Sequence, residues 1–172
     1  MDPVLQQLHD ENEIRKLVIG FSLGMDSRDV DLFRASWAEE IELDLPPLAP
    51  DVVPFSGRHR ADNYAKDVIG LLSEFRATQH VSTNHWVSVS GDSATCTCYT
   101  RAYHDLPVDS GERWLSAGAR YDLLAERFDG LGWRFIRFKL TDLWFQGNPL
   151  LWQEAARRVI DKRGAKGARL RP

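Results

Sequence analysis

Cysteine is scarce in this sequence, and its spacing does not suit a metal site. Cys96 and Cys98 stand two residues apart in 95-TCTCY-99. Residues i and i+2 of a strand share a face but lie roughly 7 Å apart, near the upper limit for a disulfide. No further Cys or His ligands follow at close spacing. We therefore predict reduced, packed cysteines and no metal.

Long apolar runs are also absent. No stretch approaches the roughly 20 apolar residues that a membrane span requires. The start of the chain, 1-MDPVLQQLHDENEIRK-16, has no basic segment followed by an apolar block, as an export leader would. We therefore predict a cytoplasmic protein that does not associate with membranes.

Positive charge is scarce outside the C-terminal end. Residues 157–172 carry seven basic side chains and one acid, a net charge of +6, in a chain whose total is −3. The first 156 residues therefore carry −9, which disfavours nucleic-acid binding because phosphate contacts dominate that affinity. We predict one domain over residues 1–160 and a basic, flexible tail over 161–172.

Hydrophobic spacing in the first 75 residues predicts helices. Apolar residues recur three and four positions apart over 4–23, and similar patterns suggest helices over 29–40 and 61–75. A short strand is expected at 41–45, before a proline-marked loop. Asp26 should fall just beyond the first helix, after Gly24, a residue type suited to ending helices.

The second half reads as an antiparallel meander. Segments 77–90, 93–106, 114–128 and 132–145 are rich in Val, Thr and aromatic residues and are separated by turn sequences. A last helix is expected from about 149 to 162. Helices followed by long antiparallel strands predict an α+β fold, with helices on one face of a sheet curled into a half-barrel.

Two of the five histidines lie in one predicted strand, 78-TQHVSTNHWVSV-89. Strand alternation places His80 and His85 on opposite faces. The His80 face would also carry Ser82, Asn84 and Trp86, a mixture of polar and apolar groups that is typical of a small-molecule pocket. His85 would belong to an apolar packing face.

A carboxylate beside His80 would make it a general base. Asp26, placed across the mouth of the curled sheet, would fix the tautomer of the ring and stabilise its protonated form. The chain has no G-x-S-x-G, P-loop, H-E-x-x-H or G-x-G-x-x-G sequence. Nucleophilic, nucleotide and zinc chemistry are therefore not expected, and we predict no cofactor.

Four segments in order resemble the SnoaL-like division of the nuclear transport factor 2-like superfamily. They are 20-GFSLGMDSRDVDLF-33, 79-QHVSTN-84, 118-GARYDLLAERFDGLGWRF-135 and 137-RFKLTDLW-144, within a match over roughly residues 5–150. The resemblance implies a cone-shaped half-barrel with the N-terminal helices packed across its concave face.

Within that superfamily, the pair Asp26 and His80 resembles the catalytic dyad of scytalone dehydratase, hexachlorocyclohexane dehydrochlorinase and bile-acid 7α-dehydratase. The resemblance implies a cofactor-independent lyase acting on a small hydrophobic substrate. Asn84 matches an Asn that often follows the His by four positions. Phe21 stands where several of those enzymes carry a Tyr or Lys.

The substrate-binding residues that we predict depend on strand register. They are Asn84, Phe21, Trp86, Tyr99, Arg101, Tyr103 and Trp144, with His104 as the alternative if the opposite face of its strand lines the pocket.

Two other functions fit the same residues. One is a polyketide cyclase or a ketosteroid-isomerase-like proton shuttle, and the other is a non-catalytic ligand-binding or oxygenase-subunit-like domain. An exposed sheet is usually covered by a second copy, so we expect a homo-oligomer, either a trimer or a dimer.

Overall fold

The computed structural model describes residues 2–54, 56–109 and 111–168, which form four helices and six strands. No helix in these ranges is long and apolar enough to cross a membrane. The elements are α1 (Pro3–Ser27), α2 (Val30–Arg34), β1 (Trp37–Asp44), β2 (Ser56–Arg60), α3 (Ala61–Leu72), β3 (Ala77–Ser90), β4 (Ser93–Asp105), β5 (Trp114–Phe128), β6 (Gly132–Gly147) and α4 (Leu151–Ala168).

The strands form one curved, unclosed sheet in the order β2-β1-β6-β5-β4-β3. The α+β half-barrel prediction is confirmed. The four long strands begin where the sequence predicted and end within two residues of the predicted positions. The sheet is mixed rather than wholly antiparallel, because β1 pairs with β6 in parallel. Strand β2, which pairs with β1, was not predicted.

Helix α1 runs four residues further than predicted, so Asp26 lies in its last turn. Gly24 does not end the helix. A Cβ on Gly24 would lie 2.5 Å from the backbone nitrogen of Phe33, so the glycine allows α1 and α2 to pack closely. The helix ends at Arg28, which adopts a left-handed conformation with φ 62°.

Helix α2 is only five residues long, although the sequence predicted a helix over 29–40. The chain enters β1 at Trp37 instead. Ile41 and Leu43 are buried while Glu42 and Asp44 are exposed, which is the two-residue period of a strand with one face on the core. This alternation outweighs the helical spacing of the preceding residues.

The core lies between the helices and the concave face of the sheet, and Phe21 of α1 is central to it. The Phe21 ring centroid lies 5.3 Å from that of Trp37, 6.0 Å from Tyr121 and 6.0 Å from Phe138. Edge-on and tilted contacts of this kind stabilise aromatic clusters beyond their burial. They fix α1 against the strands that carry the candidate site.

A buried carboxylate holds the first half of α1 to the β5–β6 hairpin. Asp10 is 3% exposed and accepts hydrogen bonds from Arg127 at 2.7 and 3.0 Å and from Trp133 Nε1 at 3.1 Å. The Arg127 guanidinium is the main reason that the pKa of Asp10 is lowered to about 2. The ion pair therefore persists across the physiological pH range.

Helix α4 extends into the segment that the sequence predicted to be a flexible tail. It continues from Leu151 to Ala168. Lys162 Nζ lies 2.6 Å from Glu74, and Arg163 lies 2.8 Å from Asp67 of α3, so part of the basic charge pairs with acids of the body. Residues 161–168 are therefore helical, whereas the flexibility of a tail beginning at 161 stays a prediction. Residues 169–172 lie outside the described residues.

Candidate active site

A cavity lies between α1, α3, α4 and the concave face of the sheet. It encloses about 960 Å³ of empty space, part of it at an open mouth. Most of its lining is apolar, including Phe21 and Trp152. The side chains that bring polar atoms to it include Tyr64, His80, Thr100, His104, Tyr121 and Asp142.

His80 and Asp26 meet at the edge of this cavity. His80 Nδ1 lies 2.7 Å from Asp26 Oδ1, and the backbone N–H of His80 donates to Asp26 Oδ2 at 2.7 Å. The His80 side chain is 6% exposed and lines the cavity, whereas Asp26 stands behind it. With the proton on Nδ1 donated to Asp26, Nε2 of the neutral ring is a free base.

Thr78 and Arg28 complete the surroundings of the carboxylate. Thr78 Oγ1 donates to Asp26 Oδ1 at 3.0 Å, and the Arg28 guanidinium donates to Thr78 Oγ1 at 2.7 Å. Burial alone would raise the pKa of Asp26. The hydrogen bonds from His80 and Thr78 outweigh that effect, so the pKa of Asp26 lies below its ordinary value. Asp26 is therefore ionised at neutral pH.

His104 lies beside His80, with its ring between Phe75 and Trp152. Its ring centroid is 5.2 Å from that of His80, 5.2 Å from Phe75 and 4.5 Å from Trp152. The residue is 1% exposed, and neither ring nitrogen has a hydrogen-bond partner among the described residues. Burial, the nearby His80 and Arg28 hold the pKa of His104 well below its ordinary value. This imidazole is therefore neutral.

Two phenols of the lining are also neutral. Burial raises the pKa of Tyr64 and of Tyr121 far above the ordinary value for tyrosine. Each hydroxyl therefore keeps its proton at neutral pH. Such a group orients a ligand by hydrogen bonding but does not act as a base.

A bulge in β3 overturns the predicted alternation of the histidine strand. The pairing with β4 shifts between Thr83 and Trp86, and Asn84 has φ 55°. The extra residue brings His85 to the same face as His80, where it lies 3.0 Å from Ser82 Oγ. The same shift leaves Asn84 exposed and turns Trp86 outward, with 77% of its surface exposed. The prediction that Asn84 and Trp86 line the pocket is therefore wrong.

The residues predicted on β4 also lie on the outer face of the sheet. Tyr99 is 49% exposed and Tyr103 is 39% exposed, and Arg101 stands between them with its guanidinium 6.0 Å from the Trp144 ring. Trp144 lies outside as well, over Gly118, where a Cβ would come within 2.2 Å of the indole. The register therefore contradicts the assignment of these four residues to the pocket. Phe21 does line the cavity, as predicted.

Sequence reasoning missed several polar groups that face the cavity, Thr100 and Asp142 among them, and named His104 only as an alternative. Thr100 and His104 share a face of β4 with Ala102, and their alternation with exposed residues was visible in the sequence. What was missing was the pairing of Thr78 with His104 and of His80 with Ala102, which identifies the inner face. Asp142 shares its face of β6 with Phe138 and Leu140 and precedes the shift in the β5–β6 pairing, so alternation with these two residues was the signal that could have identified it.

No group of three or more His, Cys, Asp or Glu side chains within the described ranges is arranged to hold a metal ion. The buried cysteines Cys96 and Cys98 are free thiols, as predicted. The polar atoms of the cavity are instead those of imidazoles, phenols, a hydroxyl and a carboxyl.

The sequence and the fold are similar to known proteins. Residues 6–139 match the SnoaL-like domain family. No curated protein matches the sequence. The fold is also that of proteins of the nuclear transport factor 2-like superfamily.

Three solved structures illustrate the similarity. The Kfla4162 protein from Kribbella flavida is 26% identical, with a TM-score of 0.75, over 88% of this chain and 99% of that one. A type 2 hexachlorocyclohexane dehydrochlorinase is 21% identical, with a TM-score of 0.70, over 84% and 92%. A Novosphingobium aromaticivorans protein, provisionally described as a scytalone dehydratase, is 21% identical, with a TM-score of 0.68, over 86% and 91%.

Proposed function

We propose that this chain, which belongs to the SnoaL-like domain family, is a cofactor-independent lyase that removes water or a halide from a small hydrophobic substrate. The observation that carries the proposal is the 2.7 Å contact between His80 Nδ1 and Asp26, with the other side of the ring facing an apolar cavity. A carboxylate-held neutral imidazole in such a place is suited to removing a proton from carbon.

In the reaction that we propose, His80 Nε2 takes a proton from a carbon next to the one that bears the leaving group. The electron pair of the C–H bond forms the new double bond, and the C–O or C–halogen bond breaks. Asp26 stabilises the imidazolium that results. The proton on His80 then leaves with hydroxide as water, or passes to solvent when the leaving group is halide.

His104 is our candidate for assisting the leaving group. Its ring is neutral, lies beside that of His80 and has two unpaired nitrogens, so one N–H is free to donate to a departing oxygen or halide. A donor fixed in a site that excludes water stabilises developing negative charge more strongly than the same donor in water. Asn84, which the sequence predicted to be a substrate-binding residue, does not line the cavity.

The lining favours a substrate with a large apolar surface. Aromatic and aliphatic side chains of α1, α3, α4 and the sheet enclose the cavity, and Phe21 stands near its centre. Hydrophobic burial would therefore supply most of the binding free energy. Similarity to a dehydrochlorinase and to a protein described as a scytalone dehydratase supports testing both chlorinated rings and hydroxylated aromatic ketones.

The experiment is a turnover screen with such compounds, followed by variants of the base. We expect His80→Ala to lower kcat by about three orders of magnitude, the upper part of the range for general base catalysis. The matched control is His85→Ala, because His85 shares the strand and face of His80 but does not line the cavity. Full activity in His80→Ala, or equal losses in both variants, would contradict the proposal.

The screen also separates elimination from proton-shuttle chemistry. The same base would serve an isomerase or a cyclase, but elimination releases water or halide, whereas isomerisation conserves the mass of the substrate. Mass spectrometry of the product and halide detection make this distinction. Stoichiometric ligand binding without any turnover would instead favour a binding protein.

We propose in addition that the protein acts as a homo-oligomer. Five aromatic residues on and beside the outer face of the sheet, which we call the outer aromatic patch, are between 36% and 77% exposed: Trp86, Tyr99, Tyr103, Trp114 and Trp144. A contiguous exposed apolar surface of this kind is usually an interaction site. Sedimentation equilibrium would distinguish a trimer or dimer from a monomer, which would contradict the proposal.

A further inference from the structure

The proposed reaction gives no role to the carboxyl group in the described lining of the cavity. Asp142 lies on β6, at the far side of the concave face from His80 on β3. Three strand spacings separate the two backbones, which is roughly 14 Å on a flat sheet and less on a curved one. The two side chains therefore mark opposite ends of the same cavity.

The floor between the two ends is made of small side chains. Asp142 pairs with Ala119 and His80 pairs with Ala102, while Ala102 in turn pairs with Ala117. All three alanines line the cavity. Methyl groups in these positions leave room above the sheet for a flat ring that extends from His80 toward Asp142.

The carboxyl of Asp142 lacks a protein partner within the described ranges. Burial is the only cause that raises its pKa above the ordinary value for aspartate, and no hydrogen bond or cation opposes that effect. The described lining of the cavity contains no Lys or Arg. A partly buried carboxyl without a protein partner is open to a hydrogen bond from water or from a ligand that displaces that water.

We propose that Asp142 binds the end of the substrate remote from His80 by accepting a hydrogen bond from a hydroxyl group, and that it thereby selects neutral hydroxylated ring compounds and rejects carboxylates. That this ligand is the substrate rests on the proposed function, whereas the binding preference itself does not. A carboxyl accepts a hydrogen bond in either protonation state. A second carboxylate beside it would meet like charge with no cation to offset it.

The test uses three probes that share one ring system: naphthalene, 2-naphthol and 2-naphthoate. Equilibrium dialysis at pH 7 measures the Kd of each for the whole protein. We expect 2-naphthol to bind about tenfold more tightly than naphthalene, as one hydrogen bond to a carboxylate provides, and 2-naphthoate to bind more weakly than naphthalene.

Asp142→Leu and Asp142→Asn test the role of the carboxyl. Asp142→Leu should bind 2-naphthol and naphthalene equally, while Asp142→Asn should keep a preference for 2-naphthol and bind 2-naphthoate better than the unmodified protein does. Unchanged naphthalene binding in both variants shows that the cavity is intact. If Asp142→Leu keeps the tenfold preference, or if 2-naphthoate binds the unmodified protein as well as 2-naphthol does, the proposal is wrong.

His80→Ala separates this inference from the proposed reaction. We expect the variant to keep the preference for 2-naphthol, because His80 lies at the other end of the cavity. If His80→Ala retains turnover while Asp142→Leu loses the preference, the proposed reaction fails and the binding role of Asp142 stands. If His80→Ala abolishes turnover while Asp142→Leu keeps the preference, the proposed reaction stands and the binding role of Asp142 fails.

Discussion

The inner and outer faces of β4 differ sharply, although their residues alternate along one strand. On the inner face, Thr100, Ala102 and His104 are all less than 10% exposed and border the cavity. On the outer face, Tyr99 and Tyr103 present aromatic rings to solvent. The inner face holds polar groups in an apolar enclosure, and the outer face holds apolar groups in a polar surrounding.

Each face is unusual in a way that suggests a different role. Buried polar groups normally have hydrogen-bond partners, so the unpaired nitrogens of His104 point to a ligand on the inner face. Exposed aromatic residues normally occur singly, so the outer aromatic patch points to a protein partner. The contrast teaches that an exception to the usual burial rule is more informative than residue type alone.

Replacing Asp26 by Asn is the most severe test of the inner face. We expect kcat to fall by about 10³, because an amide neither stabilises the imidazolium nor enforces the tautomer with a free Nε2. The amide oxygen in the place of Oδ2 would still accept from the backbone N–H of His80, and the amide nitrogen in the place of Oδ1 would face Thr78 Oγ1, so the fold should survive. Steady-state kinetics measures the loss of kcat, and circular dichroism checks that the fold is retained. A kcat within tenfold of the original would contradict the assignment of Asp26 as the partner of the base.

The contacts between Asp26 and His80 also predict how the stability of the fold depends on pH. The folded-state pKa of Asp26 is lower than in the unfolded chain, so its interactions stabilise the fold above about pH 4. That stabilisation is lost as the pH falls through the folded-state pKa. Urea unfolding between pH 3 and pH 7 should therefore show a smaller pH dependence for Asp26→Asn, and an identical dependence would contradict this account.

Replacing His104 by Leu should separate activity from stability on the inner face. We expect kcat to fall by about 10², the usual effect of removing one donor to developing charge. The melting temperature should stay the same or rise, because an apolar side chain of similar size relieves two unpaired nitrogens between Phe75 and Trp152. Thermal unfolding and kinetics on one preparation provide the check. A loss of both activity and stability would indicate a purely structural role.

Charges on the outer aromatic patch should affect assembly and leave the monomer folded. We expect Trp86→Glu combined with Tyr99→Glu to raise the dissociation constant of the oligomer by at least tenfold, because both residues are exposed in the single chain. Sedimentation velocity over a concentration series measures the change. An unaltered oligomer would show that another surface holds the copies together.

Gly118→Ala should have the smallest effect, although it introduces the closest contact on the outer face. The new Cβ would lie 2.2 Å from the Trp144 indole, but Trp144 is 41% exposed and is free to rotate away. We expect a loss of less than about 1 kcal/mol in the free energy of unfolding, because the group that has to move is the partly exposed Trp144 ring and not backbone. A loss above about 2 kcal/mol would show that Trp144 is held in place.

The sequence predicted the strands better than the ends of the helices. Strands β3 to β6 are 13 to 16 residues long and are separated by turn sequences, so their limits were clear. Gly24 was misread because helix-ending and close-packing glycines look alike in a sequence. The difference depends on whether another backbone lies nearby, and here that backbone is at Phe33.

The proposed base was predictable, whereas most of the residues around the ligand were not. The carboxyl of Asp26 and the imidazole of His80 suggested an acid–base pair by residue type, and the family resemblance supported that interpretation. The predicted binding residues depended on the face of each strand, which pairing between strands determines. His104 and Tyr103 are neighbours in sequence, and only the register of β4 against β3 assigned one to the cavity and the other to the surface.

The bulge at Asn84 makes the length of this segment more important than its composition. Asn84 and His85 together stand opposite the single residue Cys98, so deleting one of them would leave a regular strand in which Trp86 still faces outward and Val87 still faces α1. Straightening the bulge without a deletion would instead exchange the faces of everything that follows in β3. Substitution at Asn84 has a much smaller consequence, and glycine is well suited to its φ of 55°. An alignment with a relative that lacks the bulge therefore needs a one-residue gap here, because an ungapped alignment would assign the wrong residues to the cavity.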